Sequence, residues 1–291
     1  MLSKPRLSLL IGIICISIFP VIVKLNLTPS LISAFYRMAI AALFVVPYAL
    51  FTKQMQVYNT KTMWLMVLCG ICFGSDIAVW NYAIQGSTAT QATLLTNLAP
   101  VWVGVGSYFF LSSKPTLNFW IGTVFALLGM VVLIGVDVFL ELSFDLPFAC
   151  GVLSGILYAC YILLSKKVLA QVGVISFMSY SLLVSSVFLG IVNWFAGSTF
   201  TGFSAMGWTT LFVQGIVCQL VAWLLISYAT QHMRATRVSL SLLSQALLAA
   251  LLAWLFLSEA ITIQMVVGGV IILLGIAITF IEKPLFGKQI S

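Results

Sequence analysis

The sequence predicts an all-α integral membrane protein with ten transmembrane helices, arranged as two inverted five-helix repeats. Three observations lead there. Of 291 residues, 62% are hydrophobic and only 7% are charged. A soluble domain carries about 25% charged residues, so this chain has too few polar groups to cover a surface facing water. Apolar runs of about 17–24 residues recur along its length, each enough to cross a ~30 Å hydrocarbon core at 1.5 Å rise per residue. The second half also repeats features of the first at a fixed offset.

The expected spans are roughly 7–23, 31–51, 63–84, 88–111, 117–136, 147–168, 174–196, 207–229, 236–257 and 262–281. The breaks between them carry turn residues: Thr28-Pro29-Ser30, Gln85-Gly86-Ser87, Ser112-Ser113-Lys114-Pro115 and the stretch from Gly197 to Gly202. No connection is long enough to hold a soluble domain. The opening Met1-Leu2-Ser3-Lys4-Pro5-Arg6 resembles the start of a signal peptide. No small-residue cleavage site follows, and Lys24 and Asn26 end the apolar run, so it is read as the first retained span.

The net charge of +7 belongs to membrane topology rather than to nucleic-acid binding. No basic stripe is interleaved with exposed aromatic residues. With the N-terminus inside, the inner loops hold Lys4, Arg6, Lys53, Lys61, Lys114, Lys166, Lys167, Arg234, Arg237, Lys283 and Lys288, eleven of the thirteen basic residues. Lys24 and Arg37 fall toward the outer side, and the outer connection after span five holds Asp137, Glu141 and Asp145. This bias puts both termini in the cytoplasm. Trp64, Trp120, Trp194 and Trp208 sit at helix ends, where the amphipathic ring prefers the interface. Trp80, Trp102, Trp223 and Trp254 lie deeper.

A shift of 146 residues lays FLSSKPTLNFWIGTVFALLGM, from Phe110, over FLSEAITIQMVVGGVIILLGI, from Phe256. Thr116 meets Thr262, Gly122 meets Gly268 and Gly129 meets Gly275; upstream, Ala89-Thr90 meets Ala235-Thr236. The chain therefore divides into repeats 1–145 and 146–291. Five spans is an odd number, so the second repeat enters the membrane upside down, a plan that gives two equivalent packings around a midplane site.

The runs ATLLTNLAPVWVGVGSYFF and RATRVSLSLLSQALLAALLAWLFLSEAIT resemble the two signature segments of the EamA family of the drug/metabolite transporter superfamily. SDIAVWNYAI, which precedes the first, is similar to a bacterial branch of that family, and the likeness extends over essentially the whole chain. There are departures. The glutamate that usually closes each repeat is Glu259 in the second half but Ser113 in the first. The family's ninth-helix proline is Ala246, preceded by Gln245 where an acidic residue is common. The resemblance implies export or import of amino acids, relatives of nucleotides or other metabolites, with no ATPase and no cofactor. It also implies a multi-pass protein of the bacterial inner (plasma) membrane.

Ionisable residues inside hydrocarbon are expensive and default to functional candidates. Asp76 in span three and Arg37 in span two qualify. Asp76 lies about 12 Å inward from the outer end of its helix by helix rise. Asn97 sits at similar depth on the next, antiparallel span. Polar and aromatic residues recur four apart, on one helix face: Asp76 with Trp80, Thr93 with Asn97, Ser154 with Tyr158, Gln219 with Trp223, and Ser241 with Gln245. These faces predict a wet cavity lined by spans three, four, six, eight and nine. The candidate substrate residues are Asp76, Trp80, Asn97, Tyr158, Gln219, Trp223 and Gln245. Asp76 is suited to an ammonium group or to exchanging a proton. The aromatic rings suit flat or cationic ligands, and the amides both donate and accept. Asp76 and Arg37 are also candidates for a coupling pair or a structural ion pair. The amides could equally bridge helices.

Other motifs point to packing. Cys69 and Cys72 form a C-x-x-C in mid-span with no second pair and no nearby histidine, which reads as small packing residues rather than a metal or redox site. Gly151 and Gly155 form a G-x-x-x-G that serves close helix approach. His232, the single histidine, reads as a solvated loop residue, and Pro20, Pro47 and Pro100 as kinks.

The expected function is secondary transport of a small polar metabolite, amino acids or related compounds first, by alternating access, with export slightly preferred by family analogy. The alternatives are import or exchange of a nucleoside-like or sulfonium metabolite, and a passive channel, which would need a polar lining from face to face. A membrane enzyme would need a catalytic dyad or metal set that the sequence lacks. A purely structural scaffold would have no use for Asp76. Expected partners are the substrate, the lipid bilayer and protons, in a monomer or homodimer, with no nucleic acid.

Overall fold

The computed structural model describes residues 3–86, 89–135, 144–258 and 260–281, without the side chains of residues 89, 90, 91 and 93. Asp137, Glu141, Glu259, Lys283, Lys288 and the Thr93 side chain lie outside what is described. The described residues form helices and no strands. Among the described residues, nine helices are long and apolar enough to cross a membrane, and a shorter, interrupted one accompanies them.

Numbered by span, α1 is Lys4–Lys24, α2 Ser30–Phe51, α3 Thr60–Gly86, α5 Leu117–Ile134, α6 Leu146–Leu169, α7 Val174–Phe195, α8 Ala205–His232 and α10 Ile263–Phe280. α4 comprises Ala89–Thr96 and Ala99–Phe110, and α9 comprises Ala235–Ser241 and Ser244–Leu257. Within α8, Gln214–Val221 is a π-helical segment. Helix starts follow side-chain capping, in which an oxygen accepts from one of the unpaired first-turn amides. Thr116 caps α5, Asp145 caps α6, Ser204 caps α8 and Thr262 caps α10. Thr116 and Thr262, which the 146-residue shift aligns, cap their helices in the same way.

Packing between spans uses missing side chains and short hydrogen bonds, since lipid offers no hydrophobic drive to bring helices together. α5 and α10 meet along their glycines. A Cβ on Gly122 would lie 2.4 Å from the Gly275 carbonyl, and one on Gly268 would lie 2.6 Å from the Gly129 carbonyl. Rising numbers on one helix meet falling numbers on the other, so the two run antiparallel. α2 and α7 do the same, with Asn193 Nδ2 donating to the Leu31 carbonyl at 3.2 Å and Phe35 packed against Gly190. α3 and α7 run parallel: Ser185 Oγ donates to the Gly70 carbonyl at 2.8 Å, and Gly74 faces Phe188.

The remaining pairs complete the pattern. α1 and α8 are antiparallel, joined by Ser8 Oγ to the Leu225 carbonyl at 2.9 Å, with Gly12 against Ala222. α3 and α6 are antiparallel, with Gly86 against Pro147. α4 and α6 run parallel, since Leu95 faces Gly151 and Gly106 faces Leu163. α2 and α8 run parallel as well, from Ser33 against Gln214 to Ile40 against Gly215. Thus α1, α3 and α7 point one way and α2, α4, α6 and α8 the other.

The bilayer explains the large exposed apolar surface. Leu43, Trp64, Phe109, Val124, Trp194 and Trp254 are all more than half exposed. Trp64 and Trp194 sit near helix ends, as belt residues should. Trp254 lies on the outside of the bundle and has no place in the central cavity.

Gly268→Leu should force α5 and α10 apart, because even the added Cβ meets backbone; overpacking of this kind costs about 1–3 kcal/mol. The expected result is a lower melting temperature of the detergent-solubilised protein. Gly173→Ala, where a Cβ meets nothing within 4 Å, should leave it unchanged.

Candidate functional site

Asp76 is buried in the middle of α3. α6 supplies its partner: Ser154 Oγ donates to Asp76 Oδ1 at 2.5 Å. Thr96 Oγ1, at the end of the first α4 segment, lies 3.0 Å from the same serine oxygen. The G-x-x-x-G of α6 makes this approach possible. A Cβ on Gly151 would strike Leu95, and one on Gly155 would strike the Leu95 and Thr96 carbonyls. The motif does pack locally, and what it positions is the serine that holds the buried carboxylate.

α4 breaks directly after Thr96, at Asn97 and Leu98, and resumes at Ala99-Pro100. Proline fits there because first-turn amides have no partner to lose. α9 breaks at Leu242 and Leu243. Adding 146 to Asn97 gives Leu243, so the two interruptions fall at matching places in the two halves. They border one pocket of about 260 Å³, its open side included, lined by Thr96, Asn97, Tyr158, Ser239, Leu242 and Gln245 among others. Asn97 Nδ2 faces Met130 Sδ at 3.9 Å, which leaves most of its hydrogen-bonding capacity toward the pocket.

A second group of polar side chains lies deeper. Gln219 is fully buried in the π-segment, and neither its Oε1 nor its Nε2 has a partner. Trp223 is buried one turn later with its Nε1 unpaired. Its ring meets Phe73 at 4.8 Å, Tyr161 at 5.4 Å and Tyr158 at 6.2 Å between centroids, each roughly edge-on. Arg37 is buried on α2 with its guanidinium 4.3 Å from the centre of the Phe19 ring and its Nε unpaired. Arg37 and Asp76 form no direct ion pair, but Asp76, Tyr158 and Arg37 lie within electrostatic range of one another.

Of the sequence candidates, Asn97, Tyr158 and Gln245 share the pocket, and Trp223 joins it through Tyr158. Asp76 reaches it through Ser154 and Thr96. Trp80 is half-buried one turn beyond Asp76. Thr96, Ser239, Phe73 and Tyr161 were not singled out by the sequence pattern. Pro100, two residues past the α4 turn, was a usable signal for Thr96; the α9 break has none. Cys69 and Cys72 are buried free thiols, and no group of metal-ligating side chains occurs among the described residues. His232 is exposed, with Nδ1 2.8 Å from the Tyr228 carbonyl.

Removing the hydroxyl that serves Asp76 leaves a buried carboxylate with an unmet acceptor, a loss of about 1–3 kcal/mol. Ser154→Ala should therefore lower the melting temperature in detergent. The drop should shrink in an Asp76→Asn background, a non-additivity that a thermodynamic cycle measures.

The fold has a solved counterpart. One solved crystal structure superposes with a TM-score of 0.81 at 15% identity, covering 96% of this chain and 97% of the other. An uncharacterized transporter of Archaeoglobus fulgidus is 26% identical over 218 residues, 74% of this chain and 76% of its own. The transporter YdfC of Bacillus subtilis is 23% identical over 261 residues, 88% of this chain and 83% of its own. An S-adenosylmethionine uptake transporter of Rickettsia bellii is 22% identical over 154 residues, about half of each chain (53% and 52%). The profile of the EamA-like transporter family matches residues 4–135 and again residues 147–281. This multi-pass membrane protein is a transporter and belongs to the EamA-like transporter family.

Proposed function

We propose that the protein is a secondary transporter of a small polar metabolite, amino acids or related compounds first, working by alternating access around the pocket between the α4 and α9 breaks. The observation that carries this reading is the matched pair of interruptions facing one polar pocket, beside a buried Asp76. Interrupted helices at corresponding positions of two halves are the usual mark of a midplane substrate site, because freed backbone groups are tolerated in hydrocarbon only where they line a cavity. Asp76, Trp80, Asn97, Tyr158, Gln219, Trp223 and Gln245 form the substrate site in this reading.

The halves 1–145 and 146–291 act as inverted repeats. The antiparallel pairing of α2 with α7 and of α5 with α10 supports this, as does the double family match. The pairings also exchange as a two-fold requires: α1 with α8 mirrors α6 with α3, and α2 with α8 mirrors α7 with α3. The basic inner loops favour cytoplasmic termini in a bacterial inner membrane, as monomer or homodimer. Export is preferred by family analogy alone. Import or exchange of a sulfonium or nucleoside-like metabolite is the second reading, favoured by the Rickettsia relatives named for S-adenosylmethionine uptake. A passive channel fits less well, because the polar residues cluster around one depth. Protons couple through Asp76, a carboxylate buried in mid-span.

The test is uptake into liposomes of labelled amino acids, amines, nucleosides and sulfonium metabolites. One class should give saturable flux, and Asp76→Asn and Trp80→Ala should each reduce it roughly tenfold or more, the worth of one strong contact. Non-saturable flux would mean a channel, and saturable flux unchanged in both variants would move the site elsewhere. Proton coupling predicts that flux into vesicles varies between about pH 5 and pH 8 and responds to an imposed pH gradient; a flat profile would remove Asp76 as the coupling group.

A further inference from the structure

Buried polar groups are nearly always hydrogen-bonded, because leaving water without a substitute partner is unfavourable. Among the described residues seven side chains depart from this rule, and three of them, Arg37, Gln219 and Trp223, stand on α2 and α8, which pack together. Arg37 is 6% exposed, Gln219 0% and Trp223 4%, and each has a side-chain nitrogen with no partner; Gln219 also has an unpartnered oxygen. They stand on adjoining elements. Ser33 Oγ donates to Gln214 Oε1 at 2.5 Å, and a Cβ on Gly215 would meet Ile40 and the Arg37 carbonyl. Arg37 thus sits beside the π-segment that carries Gln219. Segments of π-helix concentrate at functional sites.

Asp76 does not supply the missing anion: its Oδ1 is held by Ser154, and it makes no ion pair with Arg37. We propose that Arg37, with the Gln219 amide beside it, receives a carboxylate of the transported molecule while Asp76 receives its cationic group. The ligand is then dipolar, of the α-amino-acid type, rather than a simple amine or a nucleoside. This deepens the reading of the central site and rests on it. A guanidinium presents a fork of donors that matches a carboxylate, and the Gln219 amide adds another. A lone cation would pair Asp76 and leave Arg37 bare, and a neutral ligand would leave both bare. A zwitterion pairs each charge and keeps the buried site neutral. Tyr158 and Trp223, whose rings meet edge-on at 6.2 Å between centroids, are left for the rest of the molecule.

The experiment compares matched compounds in proteoliposomes: tyrosine with tyramine and tyrosine methyl ester, and S-adenosylmethionine with its decarboxylated form. The wild-type protein should carry the acid of one series at least roughly tenfold faster than its amine or ester, one charge-assisted contact's worth. Arg37→Gln should bring acid and amine to similar rates by slowing the acid alone. Gln219→Leu guards against misfolding: deleting a buried amide that has no partner should preserve or raise the melting temperature while slowing the acid. Equal wild-type flux of acid and amine would overturn the proposal, as would equal slowing of both by Arg37→Gln. Amine flux that depends on external chloride would also overturn it, because the anion would then be inorganic. If Asp76→Asn leaves transport intact while Arg37→Gln still erases the acid preference, the carboxylate site stands and the assignment of Asp76 falls. No saturable flux of either series overturns both.

Discussion

Hydrocarbon offers a chain no hydrogen bonds, so a span must satisfy its backbone within its own helix or break only where something else serves the freed groups. Most of this protein obeys the first option. α4 and α9 take the second, and the rest of the site is arranged around that choice. At both interruptions the backbone is partly rescued by tighter turns. Leu98 N donates to the Leu95 carbonyl at 3.2 Å and Leu243 N to the Leu240 carbonyl at 3.1 Å. What the turns do not satisfy borders a pocket with amides and hydroxyls of its own. Glycines elsewhere serve the same end, by letting α6 come close enough to α4 and α3 for one serine to hold a buried carboxylate.

Polarity in this core is divided between groups that are matched and groups that are not. Ser8, Ser33, Ser154 and Ser185 each tie one helix to another through a hydroxyl. Such bonds fix depth and rotation without adding charge. Arg37, Gln219 and Trp223 keep unmet capacity in places where burial makes that capacity expensive. The four hydroxyls are satisfied across helix seams and these three groups are not, in company with Asn81, Trp102, Ser107 and Asn193. In the dipolar-ligand proposal, the transported molecule is what meets the capacity of Arg37 and Gln219.

Much of the fold was legible in the sequence, because apolar length, turn residues and the sign of loop charges answer directly to the bilayer. The spans drawn from hydropathy differ from the helices mainly at their ends, as with α3, which runs Thr60–Gly86. The i, i+4 pattern found Asp76, Ser154 and Tyr158, because polar residues on one face of an apolar helix have few places to go. It could not show that Ser154, rather than Arg37, would be the close partner of Asp76, since that depends on how near α6 can approach. The α4 break was foreshadowed by Pro100. The α9 break falls between two leucines, where side chains carry no trace of a backbone decision made by surrounding helices. The π-segment was equally hidden, since Gln-Gly-Ile-Val-Cys-Gln-Leu-Val reads as ordinary helix.

That π-segment has no counterpart in the other half: α3, which the 146-residue offset aligns with α8, is α-helical throughout. A carrier made of two interchangeable halves would have two facing conformations of equal energy, and at rest it would sit equally in either. A wide turn in one half alone lifts that degeneracy. Rotating α8 against its neighbours is a different mechanical act from rotating α3, with a different set of contacts made and lost. In the alternating-access reading, the empty protein would then favour one facing conformation over the other. Equal concentrations on both faces would still give equal fluxes, so that asymmetry would show in the half-saturating concentrations measured from each side of the membrane.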